Sequence, residues 1–256
     1  MKKYRLMIPL LVISFLLSSC SLIHKKPTPE TSAPSEIIYA PIPQQTLLDT
    51  YDDPVTGKSI DYYLYIPKDA TEHMPLIVYL HGVGAVGSVK NIETNPLHTC
   101  ALEIYGESFP FLILTPSSMF NSTWTSKKMP ERVKSLVDYI VEEYNIDRDK
   151  IIISGHSMGA SGVFRQIEHY GDFYSAAIPV SVPDTSIIDT EKCLTTPIRG
   201  FAGSKESPFN HDMREFCDSL KELGGNVIYT ELEGIVHGKT PYHAFTKEVL
   251  DWAIAQ

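Results

Sequence analysis

The chain is predicted to fold as an α/β protein, a mostly parallel twisted sheet with helices on both faces. Three observations carry this. Apolar, β-branched or aromatic runs of strand length recur at 62–66, 76–80, 111–115, 151–154, 176–182, 198–202 and 227–232. The runs between 76 and 182 are nearly unbroken in apolar character, as strands covered on both faces must be. Helix-like segments alternate with them, which gives βαβ units in an open sheet whose sites form at the carboxyl ends of strands.

The helices read as follows. Segment 131–144 places Val133, Leu136, Val137, Ile140 and Val141 on one stripe, with Pro130 opening it. Segments 158–170, 212–223 and 241–255 have the same spacing, and Gly224-Gly225 closes the third of the four.

The N-terminus reads differently. Lys2, Lys3 and Arg5 precede an apolar run at 6–17, followed by Ser18, Ser19 and Cys20. That is the order of a secretory signal, and the run is too short to span a bilayer comfortably. Leu17-Ser18-Ser19-Cys20 resembles the bacterial lipoprotein cleavage box, which implies cleavage before Cys20 and acylation of that residue by a palmitate-type chain. Residues 21–43 are rich in Pro, Ser and Thr, without apolar periodicity. The expected organisation is therefore a signal at 1–19, a lipidated Cys20 with a flexible tether to residue 44, and one folded domain at 45–256. Such a protein would be extracytoplasmic, bound to a bacterial membrane through its lipid alone.

Formal charge is −9, and −12 once the signal cations are gone, an acidic balance that argues against nucleic acid as a partner. Cys100, Cys193 and Cys217 are an odd number in a compartment where disulfides persist, so at most one bridge forms within the chain, and Cys193 with Cys217 is the expected pair if one does. No CxxC spacing occurs, and neither a metal nor another cofactor is expected.

Gly155-His156-Ser157-Met158-Gly159 stands directly after the run at 151–154 and directly before the helix at 158–170. A Gly-x-Ser-x-Gly string in strand–turn–helix context is a nucleophile elbow: the turn is too tight for side chains at Gly155 or Gly159, and it lifts Ser157 out at the strand end. A serine hydroxyl needs a neighbouring imidazole to take its proton, and the expected chain order is Ser, acid, His. His237 follows the last strand in a loop, whereas His243 falls within the terminal helix pattern and reads as a surface residue. The acid belongs just past 198–202, where Glu206 is the first carboxylate. Asp212, which also fits the first turn of the next helix, and the more distant Asp184 remain alternatives. For the oxyanion, the N–H of Met158 is one donor, and His81-Gly82-Val83-Gly84 offers the second at Val83, with His81 holding the loop. Trp124 and Phe120 are candidates for the pocket or for packing.

From residue 61 to residue 255 the domain resembles the bacterial esterase and predicted-peptidase group of α/β-hydrolases related to polyhydroxybutyrate depolymerases and feruloyl esterases. The resemblance rests on Tyr62-Tyr63-Leu64-Tyr65-Ile66-Pro67, on Leu80-His81-Gly82, on Tyr144-Asn145-Ile146-Asp147 leading through Lys150 to Gly155-His156-Ser157-Met158-Gly159, and on Gly224-Gly225-Asn226-Val227 leading to His237. It implies the α/β-hydrolase fold, Ser157 as nucleophile, Glu206 as acid and His237 as base. Such proteins often have His-Gly-x-x-Asp at the acid loop where this chain has Ala202-Gly203-Ser204-Lys205-Glu206, and an aromatic after the histidine where this one has Gly238-Lys239-Thr240. The expected activity is hydrolysis of small-molecule or polysaccharide-linked carboxylic esters through an acyl-serine. A serine peptidase of the same fold and an inactive surface binding protein are the alternatives.

Overall fold

The computed structural model describes residues 39–87, 89–118 and 123–256. The expected signal, Cys20, most of the tether and Phe120 lie outside them. Residues 39–44 run along the domain: Pro41 bridges Thr71, and the Ile42 N–H donates to the Ala70 carbonyl at 2.8 Å.

Eight strands form one sheet in the order β1-β2-β4-β3-β5-β6-β7-β8. β1 (Gln45–Asp53), β2 (Lys58–Ile66) and β4 (Leu112–Pro116) are joined antiparallel. β3 (Leu76–Leu80), β5 (Ile151–His156), β6 (Ala176–Val180), β7 (Ile198–Gly203) and β8 (Val227–Leu232) continue from β4 in parallel. The seven expected strands are all present. β1 is additional, an edge strand mostly exposed and rich in Asp and Thr, so it carries no apolar run to announce it.

Strand periodicity divides the core into two layers. Leu76, Val78 and Leu80 of β3, with Ile151 and Ile153 of β5, face one cluster, while Ile77, Tyr79 and Ile152 face the other. The first cluster is closed by α2 (Met129–Glu143), α3 (Met158–Tyr170) and α4 (Phe209–Glu222), and Val133, Leu136, Val137, Ile140 and Val141 pack inward as the spacing predicts. The second is closed by α1 (Pro96–Tyr105), which the sequence reading leaves as loop, and by two C-terminal helices. These are α5 (Thr240–Ala244) and α6 (Lys247–Ile254), in place of one helix at 241–255. The break has a local cause: the Thr246 side chain accepts from the Val249 N–H and starts a new helix.

Cys100, Cys193 and Cys217 are each buried and free, so the Cys193–Cys217 bridge does not form. Burial pushes the Cys193 and Cys217 thiols up to about 12, which keeps them protonated. Among the described residues no helix is long and apolar enough to cross a membrane.

Candidate active site

Ser157 sits between β5 and α3 with φ 56° and ψ −122°, a conformation L-residues rarely adopt. Two glycines make it possible. A Cβ on Gly159 would stand 1.9 Å from the Leu80 carbonyl oxygen, and one on Gly155 would stand 2.6 Å from the Gly159 backbone. The Ser157 N–H donates to the Val180 carbonyl at 2.9 Å, which ties the turn to β6.

Past the ends of β7 and β8, Glu206 and His237 meet. The His237 Nδ1–H donates to Glu206 Oε2 at 2.7 Å. The other carboxylate oxygen accepts from the Ser181 hydroxyl at 2.7 Å and from the Gly203 N–H. Burial would raise the Glu206 carboxyl, but the hydrogen bonds from His237, Ser181 and Gly203 outweigh it and hold the group below the ordinary carboxylate value. Phe209 stacks on the His237 ring with centroids 4.3 Å apart.

The alternative carboxylates are engaged elsewhere. Asp184 accepts from the Ser186 N–H at 2.8 Å, and Asp212, in the first turn of α4, lies 3.5 Å from His211. His243 is exposed on α5.

The turn after β3 is held from three sides. The His81 Nδ1–H donates to the Gly82 carbonyl at 2.8 Å, its Nε2 accepts from the Ser118 N–H at 3.0 Å, and the His81 carbonyl accepts from Trp124 Nε1 at 2.8 Å. Trp124 is buried, and a Cβ on Gly162 of α3 would lie 2.4 Å from its own Cβ, so this indole is a packing element that braces the loop. The turn reaches Ser157 closely: a Cβ on Gly82 would be 3.5 Å from that of Ser157. Among the described residues, no backbone acceptor takes up the N–H of Val83 or Met158.

Ser157, His237, His156 and residues 81–85 line one cavity of about 260 Å³, whose far wall is Tyr79, Asn91, Ile92, Thr94, Asn95 and Pro96. The Tyr65 hydroxyl, reaching across from β2, donates to the carbonyls of Ile92 and Glu93 and pins that wall. No hydrogen bond joins the Ser157 hydroxyl to His237 among the described residues. In unliganded hydrolytic sites this contact commonly tightens only around substrate.

Ser157, His237 and Val83 thus border this cavity, Glu206 holds His237, and Met158 directly follows Ser157 at the start of α3. Sequence reasoning missed Ser181, Phe209 and His156. Ser181 and Phe209 act through contacts far along the chain, and His156 filled only the variable place in Gly-x-Ser-x-Gly. Its Nε2–H donates to the His237 carbonyl at 3.0 Å, and the two rings lie 4.6 Å apart. Removal from water, reinforced by the adjacent His237 ring, lowers the His156 pKa to about 4.

That shift makes a stability prediction. The unfolded chain, with an ordinary imidazole, takes up its proton first as pH falls below roughly 6.5, so His156 lowers folding stability progressively from there down to pH about 4. Glu206 acts in a lower window: its depressed value contributes stability above the ordinary carboxylate pKa that is lost as pH falls through the folded value. Urea unfolding between pH 7 and 4 should show the His156→Gln variant gaining roughly 2–3 kcal/mol relative to the parent. A gap constant across that range would contradict the assignment.

No family model matches the chain. Solved structures similar to it include esterases. A thermostable esterase superposes with a TM-score of 0.71 at 28% identity, covering 82% of this chain and 63% of that one. A ferulic acid esterase superposes with a TM-score of 0.66 at 16% identity, covering 84% of this chain and 99% of that one. The chain has the α/β-hydrolase fold. A curated relative, a bifunctional acetylxylan esterase/xylanase of Neocallimastix patriciarum, is 26% identical over 131 residues, which is 50% of this chain and 19% of that protein. The match to the curated relative therefore spans about a fifth of its length. Within the α/β-hydrolase fold, Ser157 occupies the strand-to-helix turn of the central strand β5, while Glu206 and His237 follow the last two strands of the sheet.

Proposed function

We propose that this domain is a cofactor-independent carboxylic-ester hydrolase working through an acyl-Ser157 intermediate. The observation that carries the reading is the shared cavity: Ser157 at the tip of its strained turn and His237 backed by Glu206 border the same space. With Nδ1 committed to Glu206, His237 Nε2 is free to accept the Ser157 hydroxyl proton as Oγ bonds to the ester carbonyl carbon. Negative charge then collects on the carbonyl oxygen, where the N–H groups of Val83 and Met158 would stabilise it, each by about 3 kcal/mol. Collapse breaks the bond to the alcohol oxygen, which leaves with the proton from His237. Water repeats the sequence: His237 takes its proton, its oxygen attacks the acyl carbon, and Ser157 departs reprotonated. Glu206 stays ionised throughout and stabilises the imidazolium.

The names of the similar proteins, an acetylxylan esterase and a ferulic acid esterase, support an acyl group esterified to carbohydrate as the substrate class. The cavity suits the acyl side, with Tyr79, Ile92 and Pro96 for apolar contact and Asn91, Thr94 and Asn95 for polar contact. Export and acylation at Cys20 would place the site outside the cytoplasm, within reach of such polymers.

A short-chain nitrophenyl ester should give a burst equal to one acyl group per Ser157, and a fluorophosphonate probe should label that residue. Neither burst nor label would reject the reading. Labelled palmitate should enter the full-length protein and be lost on Cys20→Ala substitution.

A further inference from the structure

The base segment is tied to the acid loop by several hydrogen bonds. Ser204 N–H donates to the Leu232 carbonyl at 3.0 Å, Lys205 N–H to the Ile235 carbonyl at 3.0 Å, and Gly234 N–H to the Ser204 hydroxyl at 2.8 Å. The two backbones also nearly touch, since a Cβ on Gly203 would stand 2.3 Å from the Ile235 carbonyl oxygen. Towards the turn that carries Ser157 the situation is different. Among the described residues, one hydrogen bond spans that gap, from His156 Nε2–H to the His237 carbonyl at 3.0 Å.

The opposite edge of the same imidazole faces the oxyanion turn. A Cβ on Gly82 would be 3.6 Å from His156 Nδ1 and 3.4 Å from the His156 carbonyl oxygen. The ring is therefore wedged between the Gly82 backbone on one side and the His237 ring, 4.6 Å away, on the other.

We infer that His156 is a positioning residue for the hydrolytic site: its N–H holds the His237 backbone, and its ring spaces that base from the turn presenting the Val83 N–H. One side chain thereby sets the gap that the reacting carbonyl must fill. The inference rests on the reading of Ser157 as the nucleophile. The ring's surroundings fit the role. His237 and Glu206 are the titratable groups that act on it, and the ring stays neutral through the working range, so it places no positive charge beside the imidazolium that forms on His237. A cation there would repel the charge that the reaction must create.

The test compares variants that differ in reach. The Gln side-chain amide extends to where Nε2 stands, Asn stops near Nδ1, and Phe keeps the ring without a donor. With a nitrophenyl ester, His156→Gln should retain kcat within about threefold of the parent, while His156→Asn and His156→Phe should lose about 10- to 100-fold. KM should change little, because the misplacement affects the transition state rather than substrate binding. The rate of fluorophosphonate labelling should fall in the same order. Equal kcat for all three variants, whether intact or equally reduced, would overturn the inference, since a merely space-filling side chain does not distinguish Gln from Asn.

A readout that needs no ester separates this outcome from failure of the hydrolase reading. In protein carrying 15N-histidine, the His237 Nδ1–H shared with Glu206 should give one slowly exchanging downfield resonance in the parent and in His156→Gln. It should shift and broaden in His156→Asn, which preserves polarity should the Phe variant fold poorly. The same resonance unchanged in His156→Asn would overturn the positioning role even if no ester were ever cleaved.

Discussion

Replacing Ser157 with alanine is expected to lower kcat for a nitrophenyl ester by about four orders of magnitude or more, with the melting temperature unchanged. The size of the effect follows from what is left behind. His237, Glu206 and the Val83 and Met158 N–H groups all remain, so under the proposed mechanism the cavity would still bind an ester and stabilise an oxyanion. It would lack only the atom that forms the covalent intermediate. The burst disappears together with the steady state, because acylation and turnover share that atom. Stability holds for a separate reason: alanine faces the same φ of 56° as serine, so the substitution neither relieves nor adds backbone strain. Stopped-flow and steady-state assays on the purified variant measure this. A residual rate within tenfold of the parent would remove Ser157 from the mechanism.

The largest expected loss of stability comes two residues later. Gly159→Ala should destabilise the domain by about 4 kcal/mol or more, roughly a 10 °C fall in melting temperature. A methyl group there would lie 1.9 Å from the Leu80 carbonyl oxygen, well inside contact distance. Relief would require moving β3 or the start of α3. β3 is hydrogen-bonded on both edges, to β4 and to β5, and Leu80 itself is in register with Gly155. The helix start is fixed by the Ser157 N–H bond to β6. Neither side can yield cheaply, so the cost of overpacking is felt almost in full. Thermal unfolding followed by circular dichroism reads the effect, and a variant melting within 3 °C of the parent would show that the turn accommodates a side chain after all.

Much of the fold was legible because buried strands advertise themselves. Ile151 to Ile153 are apolar on both faces, as a central parallel strand must be, and the stripe from Val133 to Val141 is that of a helix laid on the sheet. β1 was not legible: an exposed edge strand owes its conformation to pairing with β2 across nine register positions rather than to its own side chains. α1 was hidden for the opposite reason. It is ten residues long, and the Asn95 cap and Pro96 that begin it also suit a loop.

The site divides in the same way. Ser157, Glu206 and His237 could be singled out as candidates because each follows a strand end, where the fold leaves side chains free to converge. His156, Ser181 and Phe209 support them through contacts such as that between His156 and His237, which lie 81 residues apart in sequence. No local pattern encodes such a pairing.

The torsion at residue 157 has an evolutionary corollary. Glycine would relax it, raising resistance to heat by about 1–3 kcal/mol while leaving nothing to acylate. A library screened for endurance alone should drift towards glycine at this position, whereas one screened for turnover must keep the discomfort. On the proposed reading, what looks like a flaw in the polypeptide's geometry is the condition for work rather than for durability.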